Sequence, residues 1–107
     1  MLEEMLEKWR RGARGPLPQL TPLKLLTALV LIDRECPMGR RTLAQSIQIN
    51  DGIARGLLER LSEQGMVTVG DTGVKLSQDG KKRLRNFLTT LAVKKVLDLG
   101  KTDLVPG

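Results

Sequence analysis

Residues 39–76, GRRTLAQSIQINDGIARGLLERLSEQGMVTVGDTGVKL, hold two short helical patterns, the turn between them and a hairpin after them. Leu43 and Ile47 stand four apart and give the first segment, which Gly39 can cap, a single inward face. Asn50 or Asp51 caps a second segment predicted through about Gln64, and Gly65 supplies the left-handed residue that ends it. Gln48-Ile49-Asn50 is a turn of the length that joins two helices into a helix-turn-helix. Met66 to Val69 is short and rich in β-branched residues, and Gly70-Asp71-Thr72-Gly73 turns it back into Val74-Lys75-Leu76. A two-stranded wing over 66–76 is the expectation.

The second helix poses a problem. At about 100° per residue, Ile53, Ala54, Leu57, Leu58 and Leu61 share one arc, which leaves Gly52, Arg55, Gly56, Glu59 and Glu63 on the other. Each glycine costs a helix roughly 0.5–1 kcal/mol relative to alanine. Two on one outward face predict a surface that a partner approaches closely, either the walls of a DNA groove or another protein helix.

Outward from this centre, Leu2, Met5, Leu6 and Trp9 recur at helical spacing, with Glu3 and Glu4 near the start and Lys8, Arg10 and Arg11 near the end, as the helix dipole favours. Gly12, Gly15, Pro16 and Pro18 then break regular structure and leave Arg10, Arg11 and Arg14 on a basic arm, which would lie on phosphates or serve as a solvated linker. Thr21-Pro22 starts a helix whose two apolar stripes, Leu26/Leu29/Val30 and Leu25/Ala28/Ile32, exceed what one core face needs. Ser77 caps another helix with Leu84, Phe87, Leu88 and Leu91 on one face. Beyond Leu91 the apolar phase slips to Val93, Val96 and Leu97, predicting a kink, a break or a change of partner near Ala92. The organisation expected is a helix and arm over 1–20, a domain over 21–91 and a C-terminal extension over 92–107.

Composition narrows the function. The chain has 107 residues, enough for one core that buries roughly 60–65% of its unfolded surface without staples. Cys36 is the single cysteine and there is no histidine, so neither an intrachain disulfide nor the usual zinc and Ser-His-Asp sites have their residues. Asp33, Glu35, Asp71 and Asp79 fall in no catalytic spacing, and no phosphate-binding GxxxxGK[ST] loop occurs. An enzyme, a cofactor and a bound metal are not expected. The apolar run Leu23 to Ile32 is interrupted by Lys24 and Thr27 and is too short to span a membrane, and the acidic N-terminus is unlike a secretory signal. A cytoplasmic location follows. Eighteen basic against twelve acidic residues give a formal charge of +6 and an isoelectric point near 10.0, which favours a polyanionic partner.

The order helix, helix-turn-helix, hairpin, helix over about residues 22–91 resembles the DNA-binding domain of winged-helix transcription regulators. Leu43-Ala44 would open the buried side of the scaffold helix, Ile49 would plug the turn, and LSEQGMV and LSQDGKKRL resemble the family's entry to and return from the wing. The opening LEEMLEKWRRGARGP with PMGRR is most similar to the N-terminal domain of an archaeal family of winged-helix regulators that carry a second domain downstream. A weaker resemblance is to the N-terminal domain of the bacterial central glycolytic gene regulator. Both imply a mainly α chain with a small β-hairpin wing, binding double-stranded DNA as a homodimer, with any small-molecule effector held by a domain beyond this chain.

The helix over 50–64 would enter the major groove. There Arg55 would donate to a guanine edge, Asn50 would serve an adenine or a phosphate, and Gly52 and Gly56 would admit the groove wall. Arg40, Arg41, Arg60, Lys75 and, on the arm, Arg14 would hold phosphates. Glu59 and Glu63 oppose this picture. The competing reading is a winged helix that binds another protein and not DNA.

Overall fold

In a computed structural model the described residues are 2–11, 15 and 17–104, with side chains described for 4–11, 15 and 17–96. The elements are α1 (Leu2–Arg10), α2 (Pro22–Arg34), α3 (Arg40–Ile47), α4 (Asp51–Glu63), β1 (Val67–Gly70), β2 (Gly73–Leu76) and α5 (Gln78–Leu104). This is the mainly helical fold with a hairpin wing that the sequence predicts.

Local chemistry explains the boundaries. Thr21 Oγ1 accepts from Lys24 N at 3.2 Å, and Pro22 follows in the first turn of α2. Asn50 Oδ1 accepts from Ile53 N at 2.8 Å and starts α4. Gly65 ends that helix at φ +74°, where a side chain would be strained, and Met66 N returns to Leu61 O at 2.8 Å. Met66 is fully buried behind that turn. The hairpin pairs Val67 with Leu76, Thr68 with Lys75, Val69 with Val74 and Gly70 with Gly73, leaving Asp71-Thr72 at the tip. Met38 adds a third short partner, exchanging two backbone hydrogen bonds with Val74.

One apolar core unites these parts. It contains Leu25, Ala28, Leu29 and Ile32 of α2, Leu43, Ala44 and Ile47 of α3, and Ala54, Leu57, Leu58 and Leu61 of α4, closed by Trp9 and Phe87. The two aromatic rings meet at 5.6 Å between centroids, tilted by 56°. Both apolar stripes of α2 find cover within the chain, since Leu26 packs against the core as well; Leu23 remains 71% exposed.

The wing is anchored to α5 by a close approach. Ser77 Oγ caps Gly80 N at 2.8 Å and donates to the carbonyls of Gly65 and Met66. A Cβ built on Gly80 would sit 2.0 Å from Met66 O, so only glycine lets the helix start this near the strand. From there α5 runs without a break through Ala92 to Leu104, about 40 Å at 1.5 Å per residue. The slip of apolar phase after Leu91 therefore marks a change of surroundings and no break of the helix. Leu88, Leu91, Val93 and Val96 are exposed where α5 outruns the core. No helix of the described residues is long and apolar enough to cross a membrane.

Candidate nucleic-acid interface

The helix-turn-helix is held by a few specific bonds. Ile49 plugs the turn as expected, buried at 8% exposure, while Gln48 takes the left-handed conformation at φ 57°. Its carbonyl accepts from Lys24 Nζ at 3.0 Å, which ties the turn to the start of α2. Arg40, at the head of α3, binds the carboxylate of Asp51 at the head of α4 at 3.2 and 3.4 Å. The two helices are thus fixed to each other at the end that α4 presents outward.

The outer face of α4 divides into two strips. Arg55, Glu59, Ser62 and Glu63 line a groove of about 650 Å³ whose other wall is the wing tip, Val69 to Val74, with Arg40 at its mouth. The second strip, Gly52, Gly56, Arg60 and the C-cap Gln64 at successive i+4 steps, is open at Gly52 and covered by the N-terminal arm from Gly56 onward. A Cβ on Gly56 would lie 3.2 Å from Leu17 Cδ2. Arg60 donates to the Gly15 and Arg10 carbonyls, and Gln64 Nε2 donates to the carbonyls of Lys8, Trp9 and Arg11 at 3.1–3.3 Å. Arg10 in turn donates to Leu20 O at 2.8 Å. The end of α1 is capped by side chains from α4, and the arm crosses the C-terminal half of that helix.

This geometry revises two expectations. The close approach at Gly56 is made by the chain's own Leu17, so of the two glycines only Gly52, with no neighbour nearer than Asn50 Oδ1 at 3.5 Å, is open to a partner. Arg60, expected on a phosphate, spends its guanidinium on the Gly15 carbonyl of the arm and on Arg10 O, one of the carbonyls that the end of α1 leaves without a donor. Gln64 was not singled out in the sequence. Its signal was the i, i+4, i+8 alignment with Gly56 and Arg60, a glycine and two long donors on one stripe.

The remaining predicted residues keep their outward placement. Arg55, Arg41 and Lys75 are exposed, and among the described residues none of them is in an ion pair. Asn50 is exposed with its carbonyl oxygen committed to the cap. Arg14 lies outside the described residues. Charge on this face is nearly balanced, since residues 39–76 hold five basic side chains and four acidic ones, Asp51, Glu59, Glu63 and Asp71.

The family model of the CggR N-terminal DNA-binding domain matches residues 24–91. No curated protein matches the chain in sequence. Among solved structures, the fold is similar to a multiple antibiotic-resistance repressor (MarR) of Listeria monocytogenes, at TM-score 0.65 and 15% identity over 98% of this chain and 73% of that one. A MepR variant of S. aureus gives TM-score 0.68 and 13% identity over 94% and 72%. The activation domain of the phage T4 transcription factor MotA gives 0.63 and 14% over 92% and 98%. At such identities these likenesses establish the winged-helix fold.

Proposed function

The chain belongs to the family of the CggR N-terminal DNA-binding domain, and on that premise we propose that it binds double-stranded DNA sequence-specifically as a cytoplasmic transcription regulator. The observation that carries this reading is Arg55, exposed and unpaired among the described residues, on a helix beside a wing groove and one turn from an open glycine. The first turns of α4 enter the major groove, where Arg55 donates two hydrogen bonds to guanine and Gly52 lets the wall come near. Asn50 keeps its amide N–H groups for an adenine or a phosphate. Arg41, Lys75 on the wing and the donors of Arg40 not used by Asp51 hold phosphates, and Arg14 adds one from the arm.

Two copies act together through the apolar residues that α5 leaves uncovered, Leu88, Leu91, Val93 and Val96, so the bound site is palindromic. Residues 92–107 lead toward a second domain that holds any effector. Kinship with the archaeal family rests on the opening LEEMLEKWRRGARGP, which precedes the matched residues.

Selection of bound fragments from random duplex DNA tests the reading. Enrichment of a sequence containing guanine, relaxed by Arg55→Ala at a cost of about 1–3 kcal/mol in discrimination, is expected. Arg41→Ala weakens all sequences alike and lowers the salt slope by about 1. No enriched sequence at low salt would refute the proposal. The carboxylates of Glu59, Glu63 and Asp71 along the groove favour a second reading, a protein-binding winged helix. It predicts association insensitive to salt and to the loss of Arg40 and Arg41.

A further inference from the structure

The basic excess of the chain is not where the helix-turn-helix is. Residues 39–76 hold five basic and four acidic side chains, whereas residues 78–96 of α5 hold six basic side chains, Lys81, Lys82, Arg83, Arg85, Lys94 and Lys95, against Asp79 alone. That one carboxylate is committed to Arg83 at 2.7 Å, and Arg83 also donates to Gln64 O at 3.1 Å. Exposed Lys82 and Arg85 fall on the side of α5 away from buried Gly80, Leu84 and Phe87, and half-buried Lys81 lies on the flank between. With Gln78, Asn86 and the Asp79 that pairs with Arg83, they line a shallow depression of about 480 Å³. Among the described residues none of the three is in an ion pair.

The patch stands at the far end of α4. The start of α5 packs on Met66 and Gln64, and Asn50 and Gln64 are fourteen residues apart, about 21 Å along a helix. Lys82 and Arg85 thus stand at the opposite end of α4 from the residues that would read bases. A net charge so concentrated and so far from a base-reading surface is suited to the one feature every duplex shares, its regular line of phosphates.

We infer that the basic face of α5, centred on exposed Lys82 and Arg85 with Lys81 at its edge, is a second duplex-binding surface that takes backbone phosphates without regard to sequence. The inference rests on the proposed DNA-binding reading only for the class of partner. It assigns affinity for any duplex to α5 and choice among duplexes to α4.

The experiment is a salt titration of the full chain on random-sequence duplex, read by fluorescence anisotropy. The double variant Lys82→Gln/Arg85→Gln is expected to reduce the slope of log affinity against log salt by about 2, and the triple with Lys81→Gln by about 2–3. Arg34→Glu, which lowers the net charge by two at an exposed position on α2, leaves the slope within half of that change. Preference for the sequence enriched by selection stays unchanged in the α5 variants, and their circular dichroism melts match the parent. An unchanged slope, or an equal fall in Arg34→Glu, overturns the inference and returns the face to solvent or to an acidic protein. Random-duplex binding lost with the α5 charges, without any enriched sequence, sustains the inference while refuting the reading of α4. Enrichment with an unchanged slope does the reverse.

Discussion

The helices α4 and α5 differ in what each gives up. α4 accepts two glycines and an even mix of charge on its outer face, carries Arg55 toward the wing groove and binds the arm with Arg60 and Gln64. Among the residues whose side chains are described, α5 buries only Gly80, Leu84 and Phe87, and it offers solvent a row of lysines and arginines. Shape is invested in the first and charge in the second. A basic isoelectric point is therefore a statement about α5, and the helix-turn-helix has to be judged by its geometry instead.

The comparison breaks most completely if the two helices are parted where they are joined. A Cβ at Gly80 would meet the Met66 carbonyl at 2.0 Å, and this is backbone that cannot swing aside. Gly80→Ala is expected to destabilise the fold by about 3 kcal/mol, a fall of roughly 10–20 °C in Tm, with the hairpin shifted off α5. An unchanged melt would mean that the wing and α5 are not locked together. Ser77→Ala, which removes the cap and two hydrogen bonds to the same turn, costs less, about 1 kcal/mol.

The two glycines of α4 sharpen the comparison with effects of opposite sign. Gly52→Ala meets only Asn50 Oδ1 at an ordinary 3.5 Å, so the helix gains up to about 1 kcal/mol. Its duplex affinity falls about tenfold, a loss of 1.4 kcal/mol, if this is where the groove wall comes near. Gly56→Ala pushes the flexible end of Leu17 from 3.2 Å. The gain in stability is smaller there, and duplex affinity holds, because the surface at Gly56 already belongs to the arm. Calorimetric melts together with anisotropy separate these outcomes; equal losses of binding at both positions would put the arm off α4 in the complex.

Much of this was legible in the sequence, for reasons that are local. Thr21-Pro22, Asn50, Gly65, the Gly70 to Gly73 turn and Ser77 are chain punctuation whose chemistry acts within three or four residues, and α2, α4, both strands and α5 begin or end where they stand. What depends on remote contacts was not legible. Leu17 and Gly56 are 39 positions apart, and no periodicity links them, so the glycine read as a docking point for a foreign partner. Gly56 and Arg60 both take their place from the arm, which shows in the sequence only as a break of regular structure. The continuity of α5 escaped for another reason. Its outer half, LAVKKVLDL, is mostly the good helix formers Leu, Ala and Lys and has no glycine before Gly100, whereas the apolar phase reports only which neighbours the helix meets.

The smallest expected effect concerns how α1 holds the arm beside α4. Glu7 accepts from Arg10 at 2.5 Å and lies 3.7 Å from Arg11. The hydrogen bond from Arg10 is the main cause that holds its carboxyl below the ordinary value, against a weaker opposing effect of desolvation, with the charges of Arg10 and Arg11 adding to the lowering. A carboxylate whose pKa is depressed by folding contributes stability above its unfolded pKa and loses it as pH falls through the folded value. Acidification below about pH 4.5 therefore releases Arg10 from Glu7, so that Arg10 holds the arm through its bond to Leu20 O alone, beside the contacts made by Arg60 and Gln64. Glu7→Gln should remove this part of the acid dependence while leaving neutral-pH stability nearly intact, because the pair is solvent-screened. Methyl shifts of Leu17 followed through an acid titration provide the readout. If they move identically in the parent and in Glu7→Gln, Arg60 and Gln64 alone hold the arm, and α4 owes its covered strip to its own side chains.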